Sequence, residues 1–564
     1  MLSHLTTALR RLGILAALIG ILTTATPASA DSYTPIAGAG STWAENAVDE
    51  WRRAVNQYGM RISYAGTGSS DGRRQFLSGT VDFAVSDIPF QTHPTDGSAA
   101  ERPAPGSYAY MPIVAGGTVF MYHLTVNGKR VDNLRLSGDV VTKIFTRVIT
   151  YWDDPAVKAD NPGLQLPHRS IVPVVRSDGS GSTAQFTLWM SNQHKSLWQA
   201  YCRKVGRSGA CGQTSNYPPV SGMIAQSGDL GVAGYVAQNY GEGAIGYVNY
   251  SYALNAHYPV AKVLNHAGYY TEPTPQNVAV SLLKARINTD KRSPDYLTQQ
   301  LDGVYNDTDR RNYPLSSYSY MILPLKVQGT FTKVKGKTLG AFSYYFMCQG
   351  QQQAPQLGYS PLPINLVQAG FDQIRRIPGV QTRNINIKRC NNPTFTPSGR
   401  NRLAETAPYP KACDKKGAAP CTTGSGGAKP GGGNGGSGGG TAGGSTGGAS
   451  GTGGSGTGGP GGGGPSVDPD TGQTLAPGDG SGGGSGASGT ATGGTVALAQ
   501  PVAVAAGHGW TGTQTLMLLA AFLVLGLLLL PSVVSRLVGA RFHGRPHDGL
   551  HDRSQNRSTE GNAR

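Results

Sequence analysis

The chain has no Cys-x-x-Cys and no His-Glu-x-x-His, and its eleven histidines are dispersed. The common zinc spacings are therefore absent. It also has no RNP, zinc-finger or helix-turn-helix pattern. Forty-eight lysines and arginines stand against 32 acids, a net charge of +16, but the basic residues are scattered. This argues against a nucleic-acid partner and leaves a basic exported surface that would steer anionic ligands inward. No cysteine follows the N-terminal apolar run, so the leader is not a lipoprotein signal. The 82 glycines keep no strict period of three, which rules out a collagen helix.

The two ends read as targeting and anchoring segments. Residues 1–30 form an export signal: Arg10 and Arg11, an apolar run at 12–22, and Ala28, Ser29 and Ala30 as cleavage site. The arginine pair leaves the twin-arginine and general routes both open. Residues 516–530 are apolar apart from Gly526. With their flanks they supply the roughly 20 residues of a membrane span, predicted here over 511–535. Arg536, Arg541 and Arg545 follow, which places the 536–564 tail in the cytoplasm and everything before the span outside. Residues 401–510 read as a linker. From 422 to 495 about half the residues are glycine, a composition expected to form flexible coil. Its roughly 75 residues would span about 45–50 Å on average, enough for a tether. Six cysteines in an exported chain point to disulfides. Local proximity pairs Cys202 with Cys211 and Cys413 with Cys421 and leaves Cys348 for Cys390, one of the fifteen connectivities possible.

One device occurs three times in the body of the chain. A β-prone run ends in GAGSTW at 38–43, where Ser41 and Thr42 lead into apolar residues at helical spacing: Ala44, Ala47, Val48, Trp51 and Val55. A second strand, 60–65, ends in GTGSSDG at 66–72, with Ser69 or Ser70 as cap of a helix. A third, 171–175, turns through RSDGSGS at 176–182 into a helix entered at Ser180. Strand, glycine turn and helix N-terminus present free N–H groups, hydroxyls and a positive dipole end to one point. Arg176 adds a guanidinium fork suited to a tetrahedral oxyanion. VDFAVSD at 81–87 reads as a buried strand carrying Asp87 at its carboxyl end, where ligands of α/β sheets sit; a helix cap or surface turn is an equal alternative. Residues 111–124 suggest a strand, a hinge at Gly116 and Gly117, and another strand. Helices are expected near 139–145, 228–239, 276–286 and 365–378, and strands at 242–250 and 318–323. The alternation argues for α/β architecture with largely parallel sheets.

Taken together, GAGSTW, GTGSSDG, VDFAVSD, RSDGSGS and AIGYVNY (244–250) resemble, in order and spacing, the phosphate-binding proteins of phosphate ABC importers, the PstS type, over about residues 34–380. The resemblance implies a type II periplasmic-binding fold. Two lobes, 31–116 with 259–400 and 117–258, would be joined by two crossovers and close on one phosphate. It implies Thr42, Trp43, Ser69 and Asp87 as ligands from one lobe, and Arg176, Ser180, Gly181 and Ser182 from the other. Trp43 stands where Phe is usual and Ser182 where Thr is usual. No cofactor or metal is implied; the partners would be inorganic phosphate and the permease.

The chemistry of these residues is consistent with that assignment. Dehydrated phosphate needs donors on its bare oxygens, and the proton it keeps at neutral pH needs an acceptor, a role open to Asp87. Sulfate would meet Asp87 as an unpaired like charge. Asp178 either holds the Arg176 guanidinium or merely forms the turn, and Asp71 is expected to face solvent or cap its helix. Two rival readings remain. Gly68, Ser70 and Gly72 fit the GxSxG elbow of a serine phosphatase or esterase, and a phosphate sensor or adhesin could use the same fold without transport.

Overall fold

The structure, a computed structural model, describes residues 33–429 apart from Ser208, Ala210 and Pro397. The export signal, the span at 511–535, the tail and most of the glycine-rich segment lie outside the described residues. Among those described, no helix is long and apolar enough to cross a membrane.

Chain order gives β1 (Ile36–Gly40), α1 (Glu45–Val55), β2 (Ile62–Ala65), α2 (Ser69–Leu77), β3 (Phe83–Ser86) and β4 (Tyr108–Tyr122). After these come β5 (Val172–Arg176), α3 (Gly181–Gln193), β6 (Ile224–Gln226), α4 (Gly228–Ala237), β7 (Ala244–Asn249), α5 (Tyr250–Asn255) and β8 (Val260–Leu264). The last main elements are α6 (Pro275–Ser281), β9 (Ser316–Pro324), α7 (Lys333–Cys348), α8 (Ile364–Ile374) and the short α9 (Arg402–Glu405). The strands form one continuous path, β2-β1-β3-β9-β4-β7-β5-β6, with β8 also on β4. Pairing is parallel within β2-β1-β3 and within β7-β5-β6, and antiparallel wherever β4 or β9 takes part. The sheet is thus mixed rather than largely parallel.

β4 is one fifteen-residue strand, buried throughout, and not two strands around a hinge. Its partner changes at the glycine pair: Gly117 is the last residue opposite β9, and Thr118 the first opposite β7. β4 therefore belongs to both halves of the sheet. Glycine is required there because a side chain on Gly117 would strike Pro273, and one on Gly116 would strike the Trp43 ring. The second half also extends further than expected. β8 pairs with Met121 and Phe120 of β4, so the chain is still in that half beyond residue 258.

α1 buries Ala47, Val48, Trp51 and Val55, the stripe its spacing predicts. α7 had no such signal. Phe342, Phe346, Leu339, Met347 and their neighbours are buried on nearly every face, and a helix covered all round shows no stripe. It packs on α1 through Trp51 and Phe346, stacked at 4.8 Å.

The cysteines pair as proximity suggests: Cys202–Cys211, Cys348–Cys390 and Cys413–Cys421. Residues 401–429, read above as linker, are docked on the body. Ser425 Oγ donates to the Val260 carbonyl and is buried. Gly426 N–H donates to Glu272, and Lys262 pairs with Asp414 at 2.7 Å. The opening of the glycine-rich segment is not coil because these polar groups find fixed partners. Arg135, 1% exposed, anchors the same segment: it donates to the carbonyls of Asp160, Cys413 and Ala418. Arg135→Met should leave those oxygens without donors, cost on the order of 2–3 kcal/mol and speed hydrogen exchange across 411–421. Unchanged exchange there would show that the docking does not rest on Arg135.

Candidate functional site

Each of the three glycine-turn devices ends in one buried place where the halves of the sheet meet. Gly40 turns with φ +139° where a side chain would collide with the Val85 carbonyl, and Ser41 N–H donates to that oxygen at 2.8 Å. This sharp exit from β1 puts Ser41, Thr42 and Trp43 at the start of α1. The residue before α1 is Ala44, which has no side-chain cap; Ser41 Oγ accepts from Ala44 N–H at 3.3 Å in the turn ahead of it. At the second device, Gly68 (φ +91°) is the residue before α2 and Ser69 is already helical. At the third, Ser180 is the cap, with Oγ accepting from Thr183 N–H at 3.1 Å.

All eight predicted residues are buried and come together. Asp87, 2% exposed, accepts from Ser41 Oγ at 2.7 Å, Ser319 Oγ at 2.8 Å and Ser69 Oγ at 3.2 Å. Gly181 crosses from the other half to meet it, since a Cβ there would strike Asp87 Oδ2 and Ser69 Oγ. Trp43 commits its indole N–H to Thr118 at 3.1 Å and its carbonyl to Tyr359, so it has only its main-chain N–H to offer the cleft. Ser180 Oγ donates to Ser182 Oγ at 3.2 Å.

Arg176 is buried with its five N–H bonds directed at protein acceptors. Asp178 takes Nε at 2.7 Å and one Nη2 proton, Thr42 Oγ1 takes the other at 2.8 Å, and Nη1 reaches Ser182 Oγ and Asp229. Asp178 therefore does hold the guanidinium, and it also accepts from Gly228 N–H. Sequence reasoning missed Asp229. It is fully buried at the start of α4, accepts from Thr42 Oγ1 at 2.6 Å and takes Asn249 N–H on its other oxygen. Ser41, Ser319 and Gln185, whose Nε2 donates to the Asp87 carbonyl at 2.9 Å, were also not foreseen. Of these only Ser41 lies in a recognisable motif.

The two halves are closed on each other. Ser70 N–H donates to the Gly179 carbonyl at 2.9 Å, and Tyr252 OH to the Thr42 carbonyl at 2.6 Å. Burial raises the Asp87 carboxyl to about 6; its hydroxyl donors act against this, and the Asp229 charge adds to it. Burial, then Asp49 and Asp229, pushes Glu45 on α1 up to about 7. Burial pulls Arg176 down, but Asp229 and Asp178 outweigh it and hold the guanidinium above its ordinary range. Ser70, the centre of the elbow-like pattern, has Arg73 as side-chain partner at 3.3 Å, a donor and not a base. Asp71 is bound by Arg74 and Gln75 on its own helix.

These features bring helix N-termini from both halves of the sheet to one buried place, a chemistry suited to an anion. The profile of the PBP superfamily domain matches residues 25–349, more than half the chain. Among curated proteins, a phosphate-binding protein PstS of Xylella fastidiosa is 31% identical over 345 residues, covering 61% of this chain and 86% of that one. Another, of Methanocaldococcus jannaschii, is 29% identical and covers 60% of this chain and 85% of its own length. A solved periplasmic phosphate-binding protein bound with phosphate aligns at 18% identity and TM-score 0.47, over 62% of this chain and all of that one. Within that superfamily, the chain belongs to the PstS-type phosphate-binding proteins.

Asp87 has a consequence for stability without ligand. Its pKa is near 3.8 when solvated and about 6 in the fold, so the neutral acid is the form folding favours. That contribution, roughly 2–3 kcal/mol, is fully present below about pH 4 and is lost as pH rises through about 6. In phosphate-free buffer the thermal midpoint should fall over this window, and Asp87→Asn should remove that part of the dependence.

Proposed function

We propose that this chain captures inorganic phosphate between its two lobes and delivers it to the permease of an ABC importer. The observation that carries the reading is the meeting of Thr42, Ser69 and Asp87 from one half with Arg176, Ser180, Gly181 and Ser182 from the other. Hydroxyls and helix-start N–H groups suit the bare oxygens of a tetrahedral anion, and Asp87 suits the proton that phosphate retains. Family membership supports the same role, and nothing in that role is enzymatic.

The sequence beyond the folded body adds a location. An export signal, a glycine-rich tether and a single span followed by arginines would hold the lobes outside the cell membrane with the C-terminus in the cytoplasm. The lobes would correspond to about 31–116 with the later part of the body, and 117 to just past β8. Protease added to intact cells should release the folded part; its protection would exclude this orientation.

Calorimetric titration of the full chain should give tight phosphate binding and little heat with sulfate. Arg176→Ala should weaken phosphate at least tenfold, about 1.4 kcal/mol or more, because Asp178 and Asp229 lose the cation between them. Asp87→Asn should narrow the gap between phosphate and sulfate. Equal affinity of the parent for both anions would remove Asp87 as the discriminating group.

A further inference from the structure

We infer that residues 402–429 are a strap, a further connection between the two halves that limits how far they open when no anion is held. The inference rests on the reading that the lobes open and close, and concerns what restrains that motion.

β4 crosses between the halves at Gly116 and Gly117, and the chain returns after β8 through Glu272 and Pro273, the proline lying against Gly117. Another passage follows the body of the fold. α9 is fixed on the β9 side, where Leu403, Ala404 and Ala407 pack with Ala279 and Val280 of α6. Arg311 donates there to the carbonyls of Ala404 and Ala407, and its guanidinium covers the Tyr409 ring at 4.6 Å. α6 is tied to the same side by Ser281 Oγ, which accepts from Tyr313 N–H just ahead of β9.

By Lys411 the chain has reached the other half. Asp414 accepts from Lys411 N–H and pairs with Lys262 of β8. Beyond it, Asn133 donates to the Cys421 carbonyl at 2.8 Å, and Ser425 Oγ donates to the carbonyls of Asp132 and Val260. The crossing from Ala407 to Lys411 is four residues, which reach at most about 13–14 Å. It contains Pro408 and Pro410. Each proline fixes its own φ and pushes the residue before it toward extended backbone, so the stretch has little slack to give. It arches over a cavity of about 610 Å³ lined from the body by Tyr270, Thr271, Thr274 and Asn277.

The far end is fastened to the helix that joins the halves. Gly426 N–H and Lys429 both bind Glu272, which also accepts from Tyr250 OH of α5 at 3.2 Å. Gly427 lies so close to α5 that a side chain would strike the carbonyls of Ala253 and Leu254. On the opposite face of this contact α5 presents Tyr252 to the Thr42 carbonyl, and Ser251 accepts from Asn46 of α1 at 2.9 Å. The strap therefore backs α5 in the position from which it reaches the β1 side, and a wide opening must either stretch the crossing or lift this end.

The test measures the distance between spin labels on non-natural side chains at Ala99 and Lys204, exposed positions on the two halves. It uses the full chain with its three disulfides intact. Six residues of glycine and serine inserted between Tyr409 and Pro410 keep both dockings and add roughly 12–15 Å of reach. Without phosphate the insertion variant should place the labels at least about 5 Å further apart than the parent does. Saturating inorganic phosphate should bring both proteins to one distance. A three-residue insertion at the same point should give a smaller shift of the same sign, and serves if the longer one does not fold. Equal phosphate-free distances in parent and variant overturn the inference, as does a longer distance that phosphate does not reverse. A distance that phosphate leaves unmoved in both proteins would instead defeat the reading of lobes that close on an anion, and the inference with it.

Discussion

The Arg176 guanidinium is the group on which the arrangement depends. A buried cation is tolerated only when its protons are satisfied and its charge is met. Here the acceptors come from separate places in the chain. Asp178 sits on the arginine's own turn, Ser182 on the first turn of α3, Asp229 on the first turn of α4, and Thr42 on the loop before α1. Thr42 is the member of this set that comes from the β1 side of the sheet. Its contact with Arg176 and Asp229 exists only when the two halves are together. Closure of the cleft and completion of the arginine's hydrogen bonding are thus one event.

The glycines of the turn motifs serve the same end by steric means. Gly72 of α2 lies against the backbone at Gly40, and Gly181 of α3 lies against Asp87 and Ser69. A methyl group at either would hold a helix start away from the cleft, and the N–H groups there would lose their common target. The motifs are glycine-rich because four chain segments must approach within contact distance, and not only because the turns are tight.

This explains which parts of the site were legible in the sequence. Thr42, Ser69, Asp87 and the 176–182 turn stand beside glycines whose purpose can be read locally. Asp229 does not: an acid in the first turn of a helix is ordinary, and only the tertiary fold carries it to Arg176. Ser319 lies inside β9, where alternation gives the face of a strand but not its register against β3. In the fold, the Gly116–Gly117 pair looked like an interruption because a strand passing between two sheet halves has no local signature. The docking of 401–429 was hidden by composition, since Gly, Pro and Lys read as linker whether or not a carbonyl of β8 awaits Ser425. α7 was missed for the opposite reason, being too uniformly buried to show a period.

The hydroxyl protons set the remaining constraint. Each serine or threonine has one to donate, and in the closed cleft Ser41, Ser69 and Ser319 give theirs to Asp87 while Thr42 gives its own to Asp229. None of them can serve an anion without leaving a carboxylate. Were Ser69 to turn toward a ligand oxygen, Asp87 would lose a donor in a buried place, a costly loss unless another arrived. A P–OH proton would be that replacement. Hydroxyl and ligand would then exchange acceptors, and the number of bonds in the cluster would be kept. An anion without a proton can take the hydroxyl but cannot return anything to the acid. On the function proposed above, a preference for a protonated anion would follow from bonds already present within the protein.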